Sequence, residues 1–389
     1  MENFIYENKC EILFGDLPFA EIANALKRHG AKKILIVYGS DRLKKDGTLK
    51  KIIAEITAQD MDYVEFGGVV ANPLLSHAKE GIKIAKDGKV DFILAIGGGS
   101  VIDEAKFIAV GAIRGQDAWQ IFKNGIEQNI QALPVGAVLT LPAAGSECST
   151  ASVVREDKTG LKYAIGSEVI RPRFAYINPR LCMTLPHEQI ANGTSDIFAH
   201  LLERYFSPQE NVLFTDKLLE GAMTAMLEIA PKLYANKDSY PLWSEFCLLG
   251  TLAHNDMLEM GREHQDWATH RIENKLLSGI HNIAHGAGLA ILFPAWMKYV
   301  SKTKPSKIYD FCKNVMGGKG KTEASVIKSG IANLQTFYRG LGLAQSLAEI
   351  NIDHKKVKSG ARKYFKDKTL GAYGKITVDD IIKIINLAK

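Results

Sequence analysis

Along the first half of the chain, short apolar runs alternate with stretches of helical spacing. Residues 33–38 (KILIVY) form a β-branched apolar run that stops at Gly39. Residues 47–58 then repeat apolar side chains at helical intervals through Leu49, Ile52, Ile53 and Ile56. Residues 63–66 read as a short strand ending at Gly67 and Gly68, and residues 76–86 as a helix with Ala78, Ile82 and Ala85 on one face. Residues 92–96 (FILAI) are a continuous apolar strand of the kind buried on both faces. Gly97, Gly98, Gly99 and Ser100 interrupt it, residues 101–113 continue as helix, and residues 135–141 give another apolar strand. Strands alternating with helices predict a mostly parallel sheet with right-handed crossovers.

The pattern then changes. Residues 151–155 and 161–165 flank a charged Glu-Asp-Lys-Thr-Gly turn and read as a β-hairpin. Residues 174–177 are a last strand, closed by Asn178 and Pro179. Beyond about Leu185 strand signals vanish, and helical patterns cover 189–206, 211–234, 240–260, a stretch near 270–300 and the remainder. The expected division is therefore an α/β domain over residues 1–185 and an all-α domain over residues 186–389. No internal repeat or low-complexity segment is visible.

Composition narrows the function classes. The chain has 389 residues, 46% hydrophobic and 24% charged, which excludes wholesale disorder and allows a sizeable core. A net charge of +6 over this length gives little support to nucleic-acid binding. The basic run at 354–368 reads as a solvated helix face. The five cysteines, Cys10, Cys148, Cys182, Cys247 and Cys312, form no CxxC and no disulfide framework, which points to a reducing compartment, the cytoplasm. Residues 1–20 resemble no targeting peptide, and no apolar run is long enough for a membrane span.

Two features carry candidate chemistry. In the segment FILAI-GGGS-VIDEAK (92–106), three glycines follow a buried strand and open a helix. Glycine allows close backbone approach to a ligand, and the first N–H groups of the helix lack internal partners, so a diphosphate fits there. This is not the Rossmann fingerprint, because position 102 is Ile102 rather than glycine. A second loop of small and hydroxyl residues, 139–147, follows the next strand and suits a ligand crevice at the carboxyl edge of a parallel sheet. The other feature is a set of metal-type donors. Asp196 and His200 are spaced i and i+4 on one predicted helix face, and His270 and His285 lie downstream in a region holding four of the ten histidines. One carboxylate and three imidazoles suit Zn²⁺ or Fe²⁺. A metallohydrolase would also use such donors, but it leaves the Gly97–Ser100 loop without a role.

With these motifs in view, nearly the whole chain resembles the iron-containing (group III) alcohol dehydrogenases, in particular their butanol dehydrogenase-like and aldehyde reductase branch. The likeness runs through residues 10–15 (CEILFG), 65–68 (EFGG), Ala71-Asn72-Pro73, GGGSVID, 140–150, Asn178-Pro179-Arg180, the Asp196/His200 helix, DWATH (266–270) and HGAGLAILFPAWMKYV (285–300). The resemblance implies an α/β nucleotide-binding domain with a parallel sheet and an all-α metal-binding domain, the dehydroquinate synthase-like fold, with the active site in the cleft between them. It implies one divalent metal, Fe²⁺ or Zn²⁺, on Asp196, His200, His270 and His285. It places the diphosphate on Gly97, Gly98, Gly99 and Ser100, and further cofactor contacts at Gly39, Ser40, Asn72, Asp103, Thr140, Leu141, Ser146, Lys162 and Leu181. The implied activity is reversible interconversion of short primary alcohols and aldehydes by a homodimer using a nicotinamide cofactor. The alternative is a relative of the same superfamily that binds dinucleotide and metal but is catalytically impaired or, like the dehydroquinate synthases, runs another reaction.

The sequence departs from the family in two places. A family histidine four residues after the third metal ligand is here Asn274, and the last two ligands are fifteen rather than fourteen apart, so one residue is inserted among 274–282. In a continuous helix the insertion turns the following face by about 100°, unless a π-bulge absorbs it. His281, four residues before His285, is then expected on the same face, as a substitute for the missing histidine or a competing ligand. Asn274 and His281 are accordingly the candidate catalytic positions. Finally, family members preferring NAD often carry a carboxylate near the position of Ser40, whereas here Ser40 is followed by Arg42, Lys44 and Lys45. That favours NADP(H) over NAD(H), with Asp41 arguing the other way.

Overall fold

Every strand pair in the main sheet is parallel in the computed structural model, which describes residues 1–126 and 128–389. The chain divides into two units, one formed by Glu7–Thr184 and the other by Leu185–Lys389 with Met1–Tyr6. The first unit runs β1 (Glu11–Phe14), α1 (Ala20–Arg28), β2 (Lys33–Tyr38), α2 (Arg42–Lys45), α3 (Thr48–Thr57), β3 (Asp62–Phe66) and α4 (Leu75–Asp87). It continues with β4 (Phe92–Gly98), α5 (Gly99–Ala112), α6 (Ala118–Asn124), β5 (Val135–Leu141), β6 (Ala151–Arg155), β7 (Lys162–Gly166) and β8 (Phe174–Ile177).

The sheet order is β1-β8-β5-β4-β2-β3, with β6 and β7 forming the separate antiparallel hairpin. Phe92 to Ile96 on β4 are wholly buried because both faces are covered. On one face, Ile34, Ile36, Leu94 and Ile96 pack with Ile22, Leu26, Ile52 and Ile56 from α1 and α3. The second apolar cluster joins Phe107 and Val110 of α5 to Ala78, Phe122, Val154 and Ile165 from α4, α6 and the hairpin. From β2 the chain crosses to β3 on one side, and from β4 it crosses to β5 on the other. The carboxyl ends of β2 and β4 therefore flank a topological switch point, where open α/β sheets bind ligands.

The second unit contains α7 (His187–Tyr205), α8 (Leu213–Ala235), α9 (Tyr240–Ala253), α10 (Ala268–Leu276), α11 (His285–Val300), α12 (Ser306–Asn314), α13 (Glu323–Gly340), α14 (His354–Tyr364) and α15 (Val378–Leu387). Helix α7 is buried on all sides from Ile190 to Tyr205, which accounts for its lack of a simple amphipathic pattern. Among the described residues no helix is long and apolar enough to cross a membrane.

Several local expectations change. The helix expected over 240–260 ends at Ala253 and is followed by a 3₁₀ turn at Met257–Glu259. Strand β1, at the sheet edge, is an addition to the sequence reading; its four residues are too short to show a period. The strand of 92–96 runs on through Gly98, and the helix begins at Gly99. The stretch near 270–300 is two helices separated by residues 277–284, with Asn282 at φ 54. The inserted residue is absorbed in that connection, so no helical face rotates and no π-bulge is needed.

Candidate active site

Helix α7 carries Asp196 and His200 one turn apart, α10 carries His270, and His285 is the first residue of α11. Donor atoms of Asp196, His270 and His285 all lie within 4.8 Å of one another. The Nε2 of His285 is 3.8 Å from Oδ1 of Asp196, and the Nδ1 of His200 is 3.2 Å from the same oxygen. His200 is outside the triplet but beside it, its ring centroid 4.7 Å from that of His270.

The Nδ1 atoms of these histidines are all occupied. His200 Nδ1 is 2.8 Å from the Asp196 carbonyl, His270 Nδ1 is 2.8 Å from Glu203 Oε1, and His285 Nδ1 contacts Glu273 Oε2. Such partners fix ring orientation and turn the opposite nitrogen toward a metal. The Nε2 of His270 is buried and has no hydrogen-bond partner among the described residues. Burial, followed by the neighbouring His200 and His285 rings, holds His270 well below the ordinary imidazole range, which favours the neutral form that a metal requires. Two ligands at about 2.1 Å from one ion sit roughly 3–4 Å apart, so the triplet fits a divalent cation after small adjustment. His285 keeps 22% of its side chain exposed, leaving one side of the cluster open to a small molecule.

Two glycines in the segment His285-Gly286-Ala287-Gly288 have structural causes. A Cβ on Gly286 would lie 2.0 Å from the carbonyl oxygen of Asn192, so α7 and α11 approach closely only because position 286 lacks a side chain. A Cβ on Gly288 would lie 2.5 Å from the Glu273 carboxylate. The Asp of the Asp266–His270 segment has a backbone role. Its carboxylate accepts N–H bonds from Ala268, Tyr373 and Gly374, while Trp267, at φ 57, donates its N–H to Glu203 at 2.6 Å.

Asn274 lies one turn beyond His270 on α10 and is partly buried. His281 lies in the 277–284 connection, not on the helix of His285, so the shared-face argument for it fails. It is absent from the donor cluster, and the charge acting on it is that of Lys356. Glu203 and Glu273, missed in the sequence, each follow a metal-type residue by three positions, His200 and His270. That i, i+3 spacing was the available signal. His254 was also missed: its ring lies 4.3 Å from that of His200.

In the first unit the expected cofactor residues gather at the carboxyl edge of the sheet. Gly39 and Ser40 follow β2, and Gly97 to Ser100 span the end of β4 and the start of α5. The glycines have packing causes as well as a ligand-binding one. A Cβ on Gly97 would meet Val101 at 2.4 Å, one on Gly98 would meet Leu141 at 2.9 Å, and one on Gly99 would meet Ala144 at 3.2 Å. Leu141 thus lies against the glycine segment, with Thr140 beside it on β5. Ser146 donates to Asp103 at 2.6 Å, Asn72 donates its N–H to Ser100 Oγ at 3.2 Å, and Lys162 places a positive charge toward Asp103. Leu181 ends a short 3₁₀ turn whose carbonyl accepts from Arg42 at 3.4 Å. Lys106, fully buried, was also missed. Its Nζ donates to the carbonyls of Ser146, Ser149 and Ala151 at 2.8, 3.0 and 2.8 Å, tying down the 146–151 loop.

Beside these loops a surface pocket is lined by Ser40, Asp41, Arg42, Lys45 and Asp46. Arg42 is engaged by Thr184 and Leu181, and Lys44 by Glu65 at 3.5 Å and the Tyr38 ring. Of the three basic residues, Lys45 alone is uncommitted among the described residues.

The family model described as iron-containing alcohol dehydrogenase matches residues 10–179, and that described as Fe-containing alcohol dehydrogenase family, C-terminal, matches residues 190–388. The chain is 35% identical to a probable NADH-dependent butanol dehydrogenase 1 of Bacillus subtilis (strain 168), with 99% of each chain covered. It is 32% identical to the NADPH-dependent aldehyde reductase YqhD of Escherichia coli (strain K12), with 100% of each covered. Among solved structures it matches an NADH-dependent butanol dehydrogenase A from Thermotoga maritima with a TM-score of 0.94 and 34% identity, covering 100% of this chain and 99% of the other.

Proposed function

The chain belongs to the iron-containing alcohol dehydrogenase family, and on that premise we propose how its own residues run the family's chemistry. It is an NAD(P)-dependent alcohol dehydrogenase that interconverts primary alcohols and aldehydes. We assign the metal to Asp196, His200, His270 and His285, and the dinucleotide to the loops at Gly39–Ser40, Asn72, Gly97–Ser100, Asp103, Thr140–Leu141, Ser146, Lys162 and Leu181. Residues 1–185 and 186–389 are the proposed nucleotide and metal domains.

The observation that carries the reading is the buried, unpartnered Nε2 of His270 in a cluster with Asp196 and His285. A buried imidazole nitrogen without a partner costs stability unless a ligand completes it. When bound, the metal polarises the carbonyl oxygen and offsets alkoxide charge, and the nicotinamide supplies or takes the hydride. Glu203 and Glu273 hold the His270 and His285 rings, and the exposed side of His285 is where a short primary alcohol or aldehyde would approach. Asn274 is a neutral amide, so at that position this chain can donate or accept a hydrogen bond but cannot carry a proton near neutral pH.

For the finer choices, we assign NADP(H) as the preferred cofactor, on Ser40 and the uncommitted Lys45 beside it. Relatives' printed names divide between NADH and NADPH, so the preference is this chain's own. We also take the protein to act as a homodimer in the cytoplasm, where its five buried free cysteines stay reduced. The test is purified protein loaded with Fe²⁺ or Zn²⁺, assayed with short aliphatic aldehydes and either reduced cofactor, with light scattering for the dimer. Turnover with NADPH is expected. Metal-replete protein that oxidises neither cofactor with any aldehyde would overturn the assignment.

A further inference from the structure

Glu104 on α5 is a carboxylate with no role in the reading above. It is wholly buried. Its Oε1 lies 2.5 Å from Nδ1 of His77, and its Oε2 has no hydrogen-bond partner among the described residues. His77 is the third residue of α4. Its Nε2 lies 3.2 Å from the carbonyl oxygen of Gly67, and its ring stacks on Phe66 with centroids 4.4 Å apart.

The Gly67 turn holds the loop after β2. Gly68, at φ 100, donates its N–H to the carbonyl of Gly39 at 3.0 Å, and Val69 donates to that of Tyr38 at 3.3 Å. A Cβ on Gly39 would already sit 3.2 Å from the Val69 carbonyl. Farther along the same connection, Asn72 donates to Ser100 Oγ, and Ser100 is one helical turn before Glu104. The His77–Glu104 pair therefore braces three loops at the carboxyl edge of the sheet: those after β2, β3 and β4.

Proton counting fixes the state of the pair. The Gly67 carbonyl can only accept, so Nε2 of His77 must carry a hydrogen. The 2.5 Å contact on the other side then needs a proton too, either as imidazolium with carboxylate or as neutral imidazole with a protonated Glu104. If that proton is lost, the remaining hydrogen moves to the Glu104 side, and Nε2 turns a lone pair on the Gly67 carbonyl. We propose that His77 and Glu104 are positioning residues for the cofactor, and that one proton shared between them holds the Gly67–Gly68 turn in the dinucleotide-binding arrangement. This rests on the placement of the dinucleotide at those loops.

The other charged groups around the pair are engaged elsewhere. Asp103 bonds Ser146 and the N–H of Val153, and Lys106 bonds the 146–151 carbonyls. Glu65 bonds Tyr38 and Lys44, Asp157 bonds Ser76, and Lys79 and Glu80 on α4 are exposed. Burial pushes Glu104 up to about 7 and Lys106 down to about 8, so both titrate in the accessible range. The comparison must therefore hold Lys106 constant.

Glu104→Gln does so. Its amide donates to Nδ1 and keeps hydrogen on Nε2 at every pH. The experiment is fluorescence titration of the purified protein with NADPH from about pH 6 to about pH 8.5, needing no turnover. Wild-type affinity is expected to fall by about tenfold over that range, the worth of one such hydrogen bond. Glu104→Gln should match wild type at about pH 6 and lose clearly less with rising pH. His77→Phe, which keeps the stack on Phe66 but offers no N–H, should bind about tenfold more weakly at about pH 6. A Glu104→Gln protein that follows the wild-type pH curve, or a His77→Phe protein with wild-type affinity at about pH 6, would overturn the proposal. Wild-type protein that binds neither NADPH nor NADH would instead overturn the placement of the cofactor, and the proposal with it.

Discussion

Glu203 Oε1 accepts two hydrogen bonds from His270, one from Nδ1 at 2.8 Å and one from the backbone N–H at 3.0 Å. A single buried carboxylate thus sets both the ring orientation of a candidate ligand and the start of the helix that carries it. Removing such a partner typically costs ten- to a hundredfold in metal affinity. Glu203→Ala should show that loss in metal retained after dialysis against a graded chelator. Glu203→Gln, able to turn its carbonyl to Nδ1, should lose less. Equal retention by Glu203→Ala and wild type would mean the ring is held by packing alone.

The ligand assignment separates His281 from His285. His270→Ala and His285→Ala should lose both bound metal and turnover. His281→Ala, altering a residue in the 277–284 connection near Lys356, should keep its metal. Metal analysis of the three proteins decides it. Loss of metal from His281→Ala but not from His285→Ala would make His281 the ligand.

Much of this arrangement was legible in the sequence. The runs KILIVY, FILAI and residues 135–141 are buried on both faces, so their apolar continuity is the direct print of a parallel sheet. Asp196 and His200 share a helix, and their i, i+4 spacing is enough to place them on one face. The expectation that His281 shares a face with His285 came from treating 270–300 as one helix; the helix ends at Leu276, just before the turn dipeptide Ser278-Gly279, and Asn282 takes φ 54. Glu203 and Glu273 showed only through their i, i+3 spacing from His200 and His270, and Glu104 through nothing local. A glutamate on a helix usually faces water, and only tertiary packing reveals that these three are buried.

Gly286 tests how the cluster is assembled. Its absent Cβ leaves room for the Asn192 carbonyl, which a methyl group would approach to 2.0 Å. Because the obstacle is backbone, relief requires α11 to move away from α7, taking His285 from Asp196. Gly286→Ala should destabilise by about 3 kcal/mol, the upper end for overpacking, and weaken metal binding. Gly221→Ala, in α8 with nothing within 4 Å of the added carbon, should instead raise stability by about 0.5–1 kcal/mol. Denaturant melts of the two proteins should move in opposite directions.

Glu104 makes stability pH-dependent with a definite sign. Burial, opposed by His77, raises it from 4.5 to about 7. Between those values the folded state binds more protons than the unfolded one, so stability falls as pH rises through about 7. It is fully present below about 4.5. A shift of that size corresponds to about 3 kcal/mol. Glu104→Gln removes the term, so its stability relative to wild type should grow between about pH 5 and pH 8 in urea unfolding. A constant difference would mean that Glu104 does not take up a proton on folding.

The proposed cofactor preference rests on the loop after β2. Ser40 is exposed and carries no charge. Asp41 beside it precedes Arg42, which is engaged by Thr184 and Leu181, and Lys44, which is engaged by Glu65, leaving Lys45 to face an anion at the pocket. Placing a carboxylate at position 40 would set a negative charge against a ribose 2′-phosphate while offering an acceptor to the free hydroxyls of NADH. Two unit charges about 4 Å apart in water repel by about 1 kcal/mol, so a dianionic phosphate loses about 2 kcal/mol, or roughly thirtyfold. Ser40→Asp should lower kcat/KM for NADPH by about that factor and leave NADH unchanged or improved. Lys45→Ala should weaken NADPH alone, and more at low salt than at high salt, because an exposed charge pair is screened. If both substitutions leave the NADPH-to-NADH ratio where it was, the 2′-phosphate does not lie at this loop.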